Sequence, residues 1–403
     1  MVNAVTAVSR NEALGGRPKS IAPRDDGGAQ SARAVATPDP LLRNVYCILG
    51  LAIDAIEMPA VFRRIEAAIA NGAPFLISTV NVNFLVTSQF DQRFKESILL
   101  SDLCTADGMP IVWIARLMGI PIKRRVAGSD LFDALKSEQH LSQPLKLFLF
   151  GGVDGAAAAA ARALNKGPDR LQCVGWIYPG FGTIDEMSTD ETIRKINSSG
   201  ADLLVVSLGA QKGHAWLLRN HHQIRVPIRT HFGAVVNFEA GTVKRAPHSM
   251  RKLGLEWLWR IKEEPHLWRR YWRDGSALTR LFFTRILPLA IMAQRQRLRF
   301  RDQVLAIKHT SHDESVTLAL CGFATEQHVA HAASAFGSAA TGKKNVVIEL
   351  TETLFIDCRF FGLLLALRKQ LEEAGKSLRF TGISPRLARL FRLNGIDFLL
   401  SSE

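Results

Sequence analysis

From about residue 44 to 250, short apolar runs alternate with stretches of helical period. Phe75–Thr79, Leu145–Phe150, Leu171–Trp176, Leu203–Leu208 and Pro227–His231 read as strands. Pro59–Ala70, Ile111–Leu117, Gly155–Leu164, Asp190–Ile196 and Ala215–His221 predict helices between or beside them. Strands apolar on both faces and separated by helices predict an α/β domain on a mostly parallel sheet covered on two sides. The alternation restarts near 304. Val316–Leu320, Val346–Glu349 and Leu378–Thr381 read as strands, and Gln327–Phe336, Phe361–Ala374 and Pro385–Leu393 as helices, enough for a second, small α/β domain.

Between these regions the pattern changes in kind. Residues 251–301 hold thirteen Lys or Arg against four acids, so most of the chain's net charge of +14 lies there, along with Trp257, Trp259, Trp268 and Trp272. Three readings fit. Arg and Trp can bind single-stranded nucleic acid; the stretch can be a solvated charged helix face; or it can lie on an anionic membrane with aromatics at headgroup level. The clustered aromatics and amphipathic spacing favour the membrane surface and no nucleic-acid partner. No uninterrupted apolar run reaches the roughly 18–20 residues of a spanning helix; the nearest, Leu281 to Ala293, carries Arg285.

At 403 residues, two domains plus tails are expected. The predicted organisation is a disordered leader at 1–40, an α/β domain at 41–250, a basic aromatic segment at 251–303 and the small domain at 304–403. Five scattered cysteines form no CxxC or Cys/His cluster, which indicates neither a disulfide framework nor a metal site and suits a reducing cytoplasm.

The candidate chemistry sits at predicted strand ends. Thr79 and Asn81 follow an apolar strand, where short polar side chains can meet a ligand's hydroxyls. Asp107 precedes Gly108 on a loop and is the leading general-base candidate, with His214 and His231 as rivals. The plain alternative for these residues is a hydrogen-bonded turn and a helix cap. Gly151 and Gly152 open a turn into an Ala-rich helix, as a phosphate cradle or an ordinary βα turn would. The turn is not GxGxxG, which disfavours a nicotinamide-dependent dehydrogenase. No Asp-x-Asp occurs, so no metal-chelating carboxylate pair is evident.

At these residues the chain resembles the WecG/TagA/CpsF family of bacterial glycosyltransferases over roughly 44–275. The pieces stand in order: Thr79-Val80-Asn81, Ala106-Asp107-Gly108, Arg125 to Asp130, Phe150-Gly151-Gly152, Ala201 to Gly209, Ala240 to Pro247, Gly254 to Arg260, and Glu264-Pro265 leading to Arg269-Arg270-Tyr271. The resemblance implies a Rossmann-like domain with a membrane-meeting appendage. It also implies inverting transfer of a hexosyl unit from a UDP-sugar to a polyprenyl-diphosphate-linked acceptor, without metal or other cofactor, at the cytoplasmic face of the inner membrane. Asp107 matches the base. Thr79, Asn81, Arg125, Gly128, Asp130, Gly151, Gly152 and Lys212 match substrate-binding positions. Arg245, Arg260, Arg269 and Arg270 are the candidates for holding the acceptor's diphosphate or lipid headgroups. One stretch departs: the family's amide and carboxylate after Lys212 are replaced by Gly213 and His214, and Gln211 is the nearby amide left.

Residues 308–403 resemble a STAS domain, through Val346 to Leu350 and Phe355 to Leu364. Cys358 and Arg359 stand where the family carries hydroxyls, one of them a phosphorylated serine. Neither accepts a phosphoester, so a docking role toward an unknown protein partner remains. The rival to an enzyme is a non-catalytic scaffold of the same fold recruiting partners through this domain.

Overall fold

The computed structural model describes residues 40–137, 143–167, 170–299 and 304–400; the leader expected at 1–40, apart from Pro40, lies outside them, as does Arg301. The chain enters through an antiparallel hairpin, β1 (Val45–Ile48) and β2 (Leu51–Asp54), then α1 (Met58–Ala70). The hairpin turns through Leu49 and Gly50, both at positive φ. A Cβ on Gly50 would come within 2.4 Å of the Gly395 carbonyl oxygen, so only glycine fits.

Six strands follow: β3 (Phe75–Val80), β4 (Leu103–Ala106), β5 (Leu145–Gly151), β6 (Leu171–Ile177), β7 (Leu203–Ser207) and β8 (Ile228–His231). They form one all-parallel sheet in the order β4-β3-β8-β7-β5-β6. Between them run α2 (Val82–Thr87), α3 (Gln92–Leu99), α4 (Met109–Leu117), α5 (Gly128–Ser137), α6 (Ala156–Leu164), α7 (Asp190–Asn197) and α8 (Ala210–Arg219). Alternate strand residues feed separate cores. Ile77, Leu147, Leu149, Leu203 and Val205 pack with α1, α5 and α6, whereas Leu76, Phe148, Phe150, Leu204 and Val206 pack with α7 and α8. That is the physical reason the strands lack a polar face.

After β8 come α9 (Val235–Glu239), α10 (His248–Lys252), α11 (Glu256–Glu263), α12 (Trp268–Leu281), a π-turn at Phe282–Ile286 and α13 (Leu287–Arg299). Pro265–Arg295 is one continuous helix, long and apolar enough to cross a membrane by length and composition alone, with 22% of its most apolar window buried. The sequence reading found only the short run from Leu281, because Arg280 and Arg285 interrupt the apolar residues that this helix joins. One face of it is built into the protein: Leu281, Ile286, Leu289 and Ala290 are buried, and the buried Asp274 accepts from the Asn83 side-chain amide at 2.8 Å. Trp268, Trp272 and Phe283 are exposed.

The C-terminal domain comprises β9 (Leu305–Ser311), β10 (Ser315–Ala324), α14 (Val329–Thr341), β11 (Asn345–Glu349), β12 (Thr353–Ile356), α15 (Cys358–Glu373), β13 (Leu378–Thr381) and α16 (Pro385–Leu393). Its sheet runs β12-β10-β11-β13, with β9 antiparallel to β10. The mixed α/β architecture is as expected. Several elements differ from the periodicity, the short helices α2, α3 and α5 among them. The β1–β2 hairpin, β4, β9 and β12 were not anticipated. The helix expected at 215–221 begins at Ala210, which puts Gln211 and Lys212 in its first turn.

The sheet's second core centres on Trp216, fully buried, stacked on Phe150 at 4.2 Å and donating from Nε1 to the Met187 carbonyl. Trp216→Ala should lose about 3–5 kcal/mol of stability, read as a lower urea midpoint at unchanged m-value.

Candidate active site

Ligands gather at the carboxyl ends of parallel strands, and here those ends carry most of the candidates. Thr79 is the fifth residue of β3 and Asp107 directly follows β4. Gly128, the first residue of α5, joins them. Its N–H donates to the Asp107 carboxylate at 3.4 Å, and a Cβ on it would meet the Phe232 ring at 2.7 Å and Thr79 Oγ1 at 3.1 Å. The approach therefore needs a residue without a side chain.

Asp107 is half-buried. Burial, then the nearby Glu256 carboxylate and, more weakly, Asp130, push its pKa up to about 7, against the Gly128 N–H and the Arg125 guanidinium, which pull it down. A carboxyl poised near neutral pH suits a general base.

Over this edge lies the segment that follows β8. Arg125 bridges Asp130 and Glu256, each at 3.1 Å. Asp130 also takes Arg245 at 2.7 Å and Arg251 at 3.3 Å, and Arg245 pairs with Asp133 as well. Gly254, at φ +73°, brings the backbone against Met109, which lies two residues beyond Asp107. Trp259 Nε1 donates to the Lys244 carbonyl, closing the arch on itself. Sequence reasoning missed Glu256 and Arg251 as members of this cluster. Glu256 had a signal, since it stands in the Gly254-Leu255-Glu256 motif; Arg251 had none.

The other candidates divide. Asn81 serves as the cap of α2, its side chain accepting from the Phe84 N–H at 3.2 Å. Gly151 and Gly152 allow β5 to approach β7: a Cβ on Gly151 would sit 2.5 Å from the Ser207 oxygen, and the Gly152 N–H donates to that carbonyl at 2.7 Å. That amide is thus engaged within the fold. Arg260 pairs with Glu264 and lies over Phe238, Arg269 lies over Trp268 and Arg270 over Tyr271. Lys212 donates to the Gly182 carbonyl. Gln211 donates to Asp91 at 2.9 Å and lines a separate cleft of about 880 Å³, whose other wall carries Arg273, Arg280 and Arg285.

Neither histidine is a base. His214 is sealed among Phe84, Phe94 and His231, and its ring nitrogens have no hydrogen-bond partner among the described residues. Burial, then His231, holds its pKa well below the usual value; burial also lowers His231, whose Nε2 lies 2.7 Å from the Leu208 carbonyl. Gly213 makes room for that ring, since a Cβ there would come within 2.3 Å of His231 Cδ2. The departure at 213–214 is thus an apolar box in which small and aromatic residues fit one another.

Residues 46–290 match the model of the Glycosyl transferase WecG/TagA/CpsF family. The chain belongs to this family. It is a glycosyltransferase, and its residues 307–401 match the Mlab, STAS domain. Among its relatives is the N-acetylglucosaminyldiphosphoundecaprenol N-acetyl-beta-D-mannosaminyltransferase of Staphylococcus aureus strain MW2, 26% identical over 57% of this chain and 87% of the relative. The same enzyme of strain NCTC 8325 matches equally. A solved structure titled "crystal structure of SsGBP and GDP complex" covers 64% of this chain and 90% of its own at 12% identity with a TM-score of 0.20.

The box has a consequence for acid stability. With folded-state pKa values below the unfolded value of about 6.5, His214 and His231 stay neutral while the unfolded chain takes up protons, so stability falls as pH drops below about 6.5. His214→Phe should keep melting at pH 7 within about 1 kcal/mol of wild type and make the loss between pH 6.5 and 5 shallower, measured by thermal melts across that range.

Proposed function

We propose that this glycosyltransferase moves a hexosyl unit from a UDP-sugar to a sugar hydroxyl on a polyprenyl-diphosphate-linked acceptor, with inversion and without a metal, peripherally on the cytoplasmic face of the inner membrane. The observation that carries the reading is Asp107, placed at the strand ends with a pKa near 7 beside Arg125 and Glu256. Asp107 takes the proton from the acceptor hydroxyl as its oxygen attacks the anomeric carbon, and the nucleotide diphosphate leaves from the opposite face. Family membership and the acceptor named for the staphylococcal relatives support the substrate class.

A lipid-linked acceptor calls for a membrane-adhering surface. The exposed Trp268, Trp272 and Phe283 of the long helix supply apolar anchors, and Arg273, Arg280 and Arg285 supply charge for phosphates. Those three arginines line the 880 Å³ cleft, and Arg280 has no ion-pair partner among the described residues. Arg280 joins Arg269 and Arg270 as a group for the acceptor's diphosphate, whereas Arg245, Arg260 and Arg273 are held in ion pairs and Arg285 donates to Gln89.

One observation favours the second reading, a scaffold without catalysis: the sealed box at Gly213 and His214 offers a sugar nothing in place of the family's amide and carboxylate. UDP release from a panel of UDP-sugars, with a sugar-diphosphopolyprenol acceptor, separates the two. The enzyme should show kcat/KM rising with pH through about 7 to a plateau, because the base must be ionised, and Asp107→Asn should lower the rate by about 10²–10⁴-fold. No release from wild type with any donor would favour the scaffold. For the membrane, Trp272→Glu should weaken co-sedimentation with vesicles rich in anionic phospholipid; unchanged sedimentation would remove this helix from the interface.

A further inference from the structure

The C-terminal domain and the transferase share an interface that reaches the strand carrying Asp107. Arg359, near the start of α15, is buried and donates to the carbonyls of Arg43 at 2.9 Å and Val45 at 3.1 Å while lying over the Tyr46 ring. One turn on, Gly362 faces β1 so closely that a Cβ would fall 2.1 Å from the Val45 oxygen. Tyr46 donates to Glu326 at 2.8 Å, Lys95 to the Gly395 carbonyl at 3.3 Å, and Arg368 pairs with Glu96 at 2.9 Å. Leu41 and Cys47 belong to the same apolar core as α14 and α15. Arg359 and Gly362, at the start of α15, are thus covered by the transferase's own first hairpin, whereas Asp357 and Cys358 stay partly exposed and line a cleft of about 420 Å³.

Two carboxylates fasten β4 to its neighbours, and the C-terminal domain reaches both. Asp102 accepts from the Leu76 N–H of β3 at 2.7 Å, and its second oxygen is held by Lys369 of α15 at 2.6 Å. Asp54 accepts from the Cys104 N–H of β4 at 2.8 Å and is gripped by Arg43 and Arg64. Arg43 is the residue whose carbonyl Arg359 holds. One domain therefore braces β4 directly through Lys369 and indirectly through Arg359, and the residue after β4 is Asp107.

We propose that the partner of this STAS domain is the transferase of the same chain, and that Arg359 and Lys369 act as positioning residues that brace β4 and so set the place of Asp107. The kinetic consequence rests on Asp107 as the base; the bracing itself does not. The contacts are hydrogen bonds to carbonyls and one ion pair to Asp102, so removing either cation loosens β4 without touching a substrate.

Hydrogen–deuterium exchange of the full-length chain tests this, with Arg359→Ala, Arg359→Lys, Lys369→Met and, as a control, the exposed Arg386→Ala. Arg359→Ala and Lys369→Met should each exchange the amides of residues 103–107 roughly tenfold faster or more, while β11 and β13 keep their protection and Arg386→Ala matches wild type. Arg359→Lys, which keeps a donor for one carbonyl, should recover part of the protection. The same two variants should lower kcat for UDP release more than they raise KM. Folded Lys369→Met with wild-type exchange at 103–107 overturns the proposal even if Arg359→Ala fails to fold. Altered exchange with unaltered kcat would retain the brace and count against Asp107 as the base.

Discussion

Asp130 holds the site together because three arginines from separate parts of the chain converge on one carboxylate. Arg125 comes from the loop before α5, Arg245 and Arg251 from the arch beyond β8. Partly buried charges of one sign would repel, so the acid is what allows them to lie side by side. In holding them it brings the arch down over the strand ends and carries Glu256 to the far side of Arg125. Glu256 in turn is the nearby charge that adds most to the upward push on Asp107. The protonation of Asp107 is thus an outcome of an ion-pair network assembled from residues more than a hundred positions apart.

The same network explains the balance at Asp107. Burial and two neighbouring acids oppose ionisation, whereas one arginine and one backbone N–H favour it, and the opposing set wins by enough to move a carboxyl to about 7 without trapping it protonated. Gly128 is central to this balance: among the described residues it is the backbone donor to the carboxylate, and its lack of a side chain is what admits Thr79 and Phe232 alongside.

How much of this is readable in a sequence depends on the range of the interaction. The buried strands and the C-terminal elements Leu378–Thr381 and Pro385–Leu393 carry their own apolar period and are found to the residue or nearly so. The four residues of β4 are too short and too mixed to stand out, although β4 delivers Asp107. The start of α8 was misplaced because Gln211, Lys212 and Gly213 lack an apolar period; the helix exists there because its later residues, Trp216 and Leu217, pack in the core. Asn81 shows a different ambiguity: polarity at a strand end is equally a cap for the next helix, and the cap is seen only in the geometry. Which cation pairs with Asp130, and that Gly213 makes space for His231, are facts of three-dimensional neighbourhood with no local trace.

The long helix shows how composition and packing divide the labour. Its length and hydropathy pass for a spanning segment. Crossing a bilayer would strip the buried Asp274 of its hydrogen bond from Asn83 and carry Arg273, Arg280 and Arg285 into hydrocarbon, each at a cost of several kcal/mol. Lying along the surface avoids both. In that placement Leu281, Ile286 and Leu289 would stay in the transferase core while the arginines and the exposed aromatics faced the headgroup region. The same packing sets this helix against α2, the short helix that Asn81 opens directly after β3.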